Sequence, residues 1–341
     1  MQQAGKSWLK KNILFLITVI FSIGFLIFAM RTEDGIKNLR HVLFHLQPVW
    51  LGWIAVGILA GWLLEGYVLH LFCRHLNKDW TFGQSFYVGM VGLFYSALTP
   101  FSMGEPMEVY NMTKMGMDVG AASSIIAVKS LVHHAVTFVY SLVLIAFELH
   151  YFQSSVSNFS FITIFGLLTN SIFIFFVLMF MINERFTNSL LEAVARFLDK
   201  IKMHKLSQKI YNKVHEELLI FHDSSKTMGK SYPLYLVTIL LTLVQITIAS
   251  LISYFVYRSF NLRGVSVFTM VAADTFVTMV ASFVPLPGSS GGAEGGFYLF
   301  FREFFGASII PAIALWRIST LYVNILLGGI IVYIGRKKFR L

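Results

Sequence analysis

Long apolar runs separated by short polar connections dominate the chain. Six runs approach or exceed the about 20 apolar residues that a helix needs to cross a hydrocarbon core about 30 Å thick. They cover residues 12–30, 49–72, 120–147, 159–182, 232–257 and 308–335. The first run follows a basic start, as in a signal peptide, but its length of about 18 residues and the lack of a small-residue cleavage site indicate a retained helix. We therefore predict six membrane-spanning helices in a single transmembrane domain, residues 1–341.

Two further apolar segments are interrupted by helix-breaking residues. Residues 85–99 supply about 22 Å of helix, too short to cross, before a Pro/Gly break at residues 100–106. Residues 266–284 run into a break rich in proline, glycine and serine at residues 285–296, and a short apolar arm follows at 297–305. We interpret both segments as re-entrant helical hairpins; the alternative is that the prolines only kink ordinary spans. Non-helical backbone is tolerated at membrane depth only where protein or a water-filled cavity satisfies it.

The order of these elements repeats along the chain. Span, span, hairpin and span cover residues 12–147, and the same order covers residues 159–335, with an offset of about 185 residues at the breaks. Because each half has three full crossings, an odd number, the second half must be inverted relative to the first. Inverted repeats with discontinuous helices indicate a transporter-type site near the middle of the membrane. The predicted fold class is an all-α polytopic membrane protein with six full spans and two re-entrant helical hairpins arranged as inverted repeats.

Residues 184–222, between the two halves, have a different pattern. Apolar residues recur there at three- and four-residue steps, and Lys and Arg fill the opposite face. The pattern predicts an amphipathic cytoplasmic linker that lies on the inner leaflet, where its basic face would favour anionic lipid. A connector packed against the bundle is an equally good interpretation and is compatible with the first.

Composition and charge placement agree with a membrane protein. Hydrophobic residues make up 56% of the chain and charged residues 13%, whereas a soluble domain has about 25% charged residues. The formal charge of +10 is concentrated before the first span, after the last span and between residues 185 and 230. This placement follows the positive-inside rule and does not indicate a nucleic-acid interface. It predicts a multi-pass plasma-membrane protein with both termini in the cytoplasm, although Arg258 and Arg263 then lie outside.

The second break, residues 285–296, is the most informative segment for function. Its glycines let the backbone approach a ligand closely. A half-helix starting there would point its positive end at an anion such as a lipid phosphate, and either serine could cap it. A nucleotide-binding P-loop is excluded because the Gly-Lys-Ser/Thr ending is absent; tight hairpin packing is the alternative to ligand contact. The candidate ligand contacts are Gly288, Ser289, Ser290, Gly291, Gly292 and Glu294.

Carboxylates accompany both breaks. Glu105 and Glu294 each follow a proline by a few residues, where a carboxylate either caps the half-helix or meets a cationic headgroup. Glu65 lies deep in the second span and has no obvious partner in the sequence. In the second half, Asp274 is a candidate ion-pair partner for Arg317.

Basic residues occupy matching places in the spans that follow the breaks. Lys129 and His133 lie four residues apart on one helical face, a pair of donors that suits a phosphate, and Arg317 occupies the equivalent place in the second half. The alternative for Lys129 is a salt bridge to Glu105 or Glu108. The sequence contains no cluster with metal-ligand spacing and no recognisable catalytic triad or dyad, so we expect no metal, no cofactor and no catalytic residue.

Both breaks resemble those of the lysylphosphatidylglycerol synthase transmembrane family, also called flippase-like. The resemblance covers residues 12–335 and rests on Thr99-Pro100-Phe101 with Gly104-Glu105-Pro106-Met107, and on Pro287-Gly288 with Gly291-Gly292-Ala293-Glu294-Gly295. It implies a membrane region that moves aminoacylated phosphatidylglycerol between leaflets, next to a soluble domain that transfers lysine from lysyl-tRNA. Because this chain ends at Leu341, directly after the last span, the resemblance implies the translocating region without that soluble aminoacyltransferase domain.

Three functions follow from these features. The leading prediction is a lipid flippase for an anionic or aminoacylated phospholipid such as lysyl-phosphatidylglycerol, or for a related glycolipid. The second is a membrane-embedded lipid headgroup transferase of the phosphatidylglycerol lysyltransferase type, with Glu105, Glu108 or His133 as the base. The third is an anion channel. We favour a transporter over an enzyme. The candidate partners are a membrane phospholipid, a separate lipid-modifying enzyme and a second copy of the chain; a nucleic acid is not expected.

Overall fold

The computed structural model describes residues 46–100, 103–156, 159–200, 203–282 and 284–339, together with position 24. These residues form helices with short connections, and no strand occurs among them. The predicted all-α polytopic membrane fold is confirmed. The first predicted span, residues 12–30, lies outside the described residues except for position 24.

The helices of the described residues are numbered here from the first one that is described completely. In chain order they are α1 (Pro48–Leu76), α2 (Phe82–Leu98), α3 (Glu105–Lys114), α4 (Val119–Ser155), α5 (Phe159–Ile182), α6 (Glu184–Lys200), α7 (His204–Gly229), α8 (Tyr232–Ser259), α9 (Val267–Ala281), α10 (Gly292–Phe305), α11 (Ile309–Arg317) and α12 (Val323–Lys338).

Several of these helices are long and apolar enough to cross a membrane. Within the described residues they are α1, α4, α5, α8 and the composite run Pro287–Lys338, which contains α10 to α12. Four predicted spans fall inside the four single helices, and the predicted span 308–335 falls inside the composite run. That run is interrupted by a 3₁₀ turn at Gly306–Ser308 and by a π-helical turn at Ile318–Tyr322.

The first hairpin consists of α2 and α3. Thr81 starts α2 with a capping box, in which its hydroxyl accepts from the amide of Gln84 and the Gln84 side chain accepts from the amide of Thr81. The arms α2 and α3 pack on each other so closely that a Cβ at Gly104 would lie 2.1 Å from the carbonyl oxygen of Gly92. Only glycine at position 104 permits this approach.

The second hairpin consists of α9 and α10, joined by a 3₁₀ turn at Pro287–Ser289. Its backbone is left-handed at Gly288, Ser289 and Gly291, with φ values of 59°, 51° and 87°. The residue that precedes α10 is Gly291, so neither serine caps this half-helix, unlike the sequence-based expectation. The Ser290 hydroxyl donates instead to the carbonyl oxygen of Pro287, at 2.9 Å, and so stabilises the turn itself.

The two halves have matching contacts between helices. In the first half α1 packs on α2, α2 on α3 and α3 on α4; in the second half α8 packs on α9, α9 on α10 and α10 on α11. The equivalent helices α1 and α8 also pack extensively against each other. These contacts agree with the order of elements seen in the sequence. The inversion of the second half, and the depth of the hairpins in the membrane, stay predictions.

The linker forms two helices, of which α7 is the one packed on the bundle. The amide of Gly120 on α4 donates to Glu217 at 2.6 Å, and the hydroxyls of Ser124 and Ser225 lie 2.8 Å apart. Helix α6 packs on the outer side of α7, partly through Thr187, whose hydroxyl is 2.9 Å from the His222 ring. Three large apolar side chains of α6 stay exposed, which fits the predicted amphipathic pattern: Leu190, Val194 and Phe197.

Candidate functional site

A buried group of charged side chains lies where three helices of the first half meet. Lys129 projects from α4, and its Nζ lies 2.7 Å from Oε1 of Glu65 on α1. The same ammonium lies 2.7 Å and 3.0 Å from the two carboxylate oxygens of Glu108, in the first turn of α3. The salt bridge left open by the sequence is therefore formed, with Glu108 rather than Glu105 and with Glu65 as a second carboxylate.

Glycines of α2 and an amide from α8 fix the two carboxylates in place. A Cβ at Gly92 would lie 1.9 Å from Oε1 of Glu108, and a Cβ at Gly89, one turn earlier, would lie 3.2 Å from Cγ of Glu65. The second oxygen of Glu65 accepts a hydrogen bond from Nε2 of Gln245 at 2.8 Å. Sequence reasoning missed Gln245, although a lone amide within an apolar run of 28 residues was a usable signal.

These side chains form one wall of a cavity of about 160 Å³ between α1, α2, α3, α4 and α8. Glu105, His133 and His134 also line it, and the His134 ring is held 2.9 Å from the Asn170 side chain. The Ser130 hydroxyl, which lines the same cavity, is buried and has no hydrogen-bond partner among the described residues. Of the described side chains lining the cavity, three are carboxylates and one is an ammonium, so the wall has an excess of negative charge when these groups are ionised.

A second ion pair occupies the equivalent place in the second half. Nε of Arg317 on α11 donates to Oε1 of Glu294 at 2.7 Å, and Nη2 donates to the carbonyl oxygen of Gly288 at 3.3 Å. The other Glu294 oxygen accepts from the amide of Gly291 at 2.6 Å, so Glu294 caps α10 as one of the two sequence-based interpretations expected. Arg317 pairs with Glu294 and not with Asp274, whose carboxylate accepts from Ser253 instead.

The two ion pairs differ in their access to a ligand. Glu108 precedes Lys129 by 21 residues and Glu294 precedes Arg317 by 23, so the pairs match in position. The side chains of Glu294 and Arg317 are 0% and 5% exposed and line no part of the cavity. Lys129 and Glu108, in contrast, face the cavity. The first pair therefore borders an open space in this conformation, whereas the second pair is closed.

The second break lies against the end of α2, just before the first break. A Cβ at Gly288 would lie 2.6 Å from Cδ1 of Leu321 and 3.1 Å from the carbonyl oxygen of Ala97, near the end of α2. Ala97 and Leu321 share a small buried cluster with Ile325. The structure thus divides the predicted site residues into two groups. Glu105, Glu108, Lys129 and His133 line the cavity, whereas Gly288, Ser289, Ser290, Gly291, Gly292, Glu294 and Arg317 belong to the second break and its ion pair.

Comparison with known proteins gives a family assignment. The family model described as the lysylphosphatidylglycerol synthase TM region matches residues 15–328. The chain belongs to this family. The match includes both hairpins and both ion pairs. The chain is also similar to a UPF0104 membrane protein of Archaeoglobus fulgidus, with 27% identity over 295 residues, which cover 79% of this chain and 81% of that protein. The resemblance seen in the two breaks is therefore confirmed as family membership.

Proposed function

We propose that this protein moves a lipid between the two leaflets of its membrane, and that the cargo is an aminoacylated phospholipid such as lysyl-phosphatidylglycerol. The observation that carries the proposal is the cavity of charged side chains between apolar helices. Ionisable residues inside a membrane are costly, and they commonly mark the path of a substrate or ion. Here Glu65, Glu105, Glu108 and Lys129 face one common space.

The charge of the cavity wall supports a cargo with an amino group over one with a phosphate alone. The single ammonium on the described wall is already neutralised by two carboxylates at 2.7 Å, so it offers little attraction to a phosphate. Glu105 adds a third carboxylate. A headgroup that carries an ammonium complements this wall, whereas a purely anionic headgroup would meet carboxylates of like charge. The same charge excess disfavours an anion channel.

The size of the cavity indicates that transport needs a wider conformation. The cavity volume of about 160 Å³ is below the about 300–1,000 Å³ that is usual for sites of drug-sized molecules. A phospholipid headgroup would enter only after the helices around the cavity separate. Rocking of one repeat against the other, as in transporters built from repeats, would provide this opening, and the contact between α1 and α8 is the place to expect it.

A lipid headgroup transferase is the second candidate, and His133 is the observation that favours it. His133 is exposed and lines the cavity beside Glu105, and neither side chain has an ion-pair partner in the described part of the chain. An imidazole or carboxylate in such a place is able to act as a general base. The two candidates differ in whether a covalent product appears.

Reconstitution in liposomes tests the proposal. The purified chain is inserted into vesicles that contain fluorescent lysyl-phosphatidylglycerol or fluorescent phosphatidylglycerol, and an impermeant quencher measures the fraction in the outer leaflet over time. We expect faster exchange of the lysyl lipid than of phosphatidylglycerol, with both lipids chemically unchanged by mass spectrometry. Exchange no faster than in protein-free vesicles would remove the proposal. A new lipid species formed in the presence of a donor would favour the transferase.

A further inference from the structure

The two carboxylates that hold Lys129 are also positioned by parts of the protein other than Lys129. The carboxylate of Glu108 fits against the bare backbone of Gly92, where a Cβ would lie 1.9 Å from its oxygen. Glu65 is held by the hydrogen bond from Gln245, at 2.8 Å. The acceptors therefore form a site for a cation that α2 and α8 help to shape, in addition to the lysine that fills it.

Lys129, in contrast, is the adaptable member of the group. A lysine ammonium is carried on a flexible four-carbon stem with rotatable donors, whereas an arginine fork is planar and pre-organised. In the second half, Arg317 uses its fork to hold both Glu294 and the Gly288 carbonyl oxygen, and the pair is closed to the cavity. Of the two ion pairs, the one with Lys129 is thus the one whose cation is able to exchange.

The cavity provides places for both an incoming cation and a displaced lysine. Ser130 directs a buried hydroxyl without a described partner to the same cavity, so the space next to Lys129 offers an incoming polar group a hydrogen bond. Glu105 lines the cavity without an ion-pair partner in the described ranges, and it gives Lys129 a third carboxylate to move toward. Such an exchange keeps every ammonium paired, which matters because an unpaired charge costs several kcal/mol in a buried site.

We infer that Glu65 and Glu108 form a binding site for one primary ammonium group, that Lys129 occupies this site as an internal substitute in the empty protein, and that a ligand ammonium binds by displacing it. The identity of the ligand as a lipid rests on the proposed function, but the ammonium site does not. Lys129 then acts as a tethered competitor: only a ligand that supplies its own ammonium opens the site, and a lipid without one leaves the ion pair intact.

Chemical rescue tests the exchange. Lys129→Ala removes the internal ammonium and leaves the two carboxylates facing an enlarged cavity. We expect this variant to unfold at a lower temperature than the wild type in detergent, and butylammonium chloride to restore most of the difference in a saturable manner. Sodium chloride and tetramethylammonium chloride at equal ionic strength should restore none of it. The double variant Lys129→Ala/Glu108→Gln should lose the response.

The matched control is Arg317→Ala, whose site is closed. It should be destabilised without recovery in butylammonium, because its carboxylate, Glu294, is not accessible. A folded Lys129→Ala protein that responds to butylammonium no better than to sodium chloride would overturn the inference. If Lys129→Ala does not fold, Lys129→Met takes its place. If neither variant folds, the wild type is used, and butylammonium should slow its exchange of lysyl-phosphatidylglycerol. An unchanged exchange rate then counts against the ammonium site.

The outcome also separates this inference from the proposed function. If Lys129→Ala responds specifically to butylammonium but the wild type does not exchange lipid, the ammonium site is supported and the proposed lipid cargo is contradicted. If the wild type exchanges lipid but the variant does not respond to butylammonium, the translocase function is supported and the displacement of Lys129 is contradicted.

Discussion

The replacement Gly92→Ala tests whether the buried ion pair depends on the close contact between α2 and α3. A Cβ at position 92 would lie 1.9 Å from Oε1 and 2.7 Å from Cδ of Glu108. Since non-bonded heavy atoms prefer separations of about 3.5 Å, the carboxylate would have to retreat by about 1.5 Å. Lys129 now lies 2.7 Å and 3.0 Å from its oxygens, and a retreat of that size would break both contacts.

The expected cost follows from these displacements. Breaking a buried ion pair by loss of one partner costs about 3–5 kcal/mol. We take the lower end, about 3 kcal/mol, because Lys129 keeps Glu65 at 2.7 Å. Alanine is better than glycine inside a helix by about 1 kcal/mol, which offsets part of the loss. The net destabilisation is therefore about 2 kcal/mol, which lowers the thermal midpoint of a chain of this length by about 3 °C.

Thermal unfolding of the purified protein in detergent, followed by tryptophan fluorescence, measures this effect, and Gly83→Ala on the same helix is the matched control. A Cβ at Gly83 meets no heavy atom within 4 Å, so that variant should be no less stable than the wild type and, by the same helix preference, up to about 1 kcal/mol more stable. If Gly92→Ala and Gly83→Ala unfold at the same temperature, Glu108 adapts freely, and the idea of a rigid carboxylate site is refuted.

Three further perturbations separate structural from functional charges. Glu294→Gln leaves Arg317 buried without its counter-charge, so we expect a loss of about 3 kcal/mol in the free energy of unfolding; an unchanged thermal midpoint would contradict this. Glu105→Gln should change stability by less than about 0.5 kcal/mol yet slow the exchange of lysyl-phosphatidylglycerol, and an unchanged rate would exclude Glu105 from the site. The hydrogen bond from Lys226 lowers the pKa of Glu184, so the contact between α6 and α7 contributes at neutral pH and is lost as the pH falls through that pKa. Hydrogen exchange of α6 amides should rise at acid pH in the wild type and show a weaker pH dependence in Glu184→Gln.

The positions of the long helices were predictable because burial in a membrane leaves a strong signal in composition. The predicted span 232–257 lies within α8, Tyr232–Ser259, and the predicted break at residues 100–106 contains the start of α3 at Glu105. Pro106, in the first turn of α3, was read correctly as a break because proline is tolerated there and not in the helix interior. These are local properties of the chain, and the sequence is sufficient to reveal them.

The partners of the charged side chains were less predictable, because they depend on packing between distant segments. Glu105 and Glu108 both lie in the first turn of α3, and it is Glu108, packed against Gly92 of another helix, that pairs with Lys129. Gln245 reaches Glu65 across 180 residues of sequence, which no local pattern reveals. The useful signal was coarser: a lone polar residue in an apolar run needs a partner, and the partner is commonly another such residue.

Comparison of the two ion pairs indicates that the two halves have different roles in the proposed transport. A transport cycle needs one part that keeps its shape and one that changes partners. In the second half, Glu294 accepts from the amide of Gly291, which precedes α10, and pairs with Arg317 in a buried place. Exchanging its cation would therefore expose several buried groups together. In the first half, Lys129 pairs with two carboxylates beside a cavity that a third carboxylate, Glu105, also lines, so it is able to leave its site without losing every counter-charge. On the proposed function, the second break is therefore the scaffold, and the headgroup is recognised in the first half.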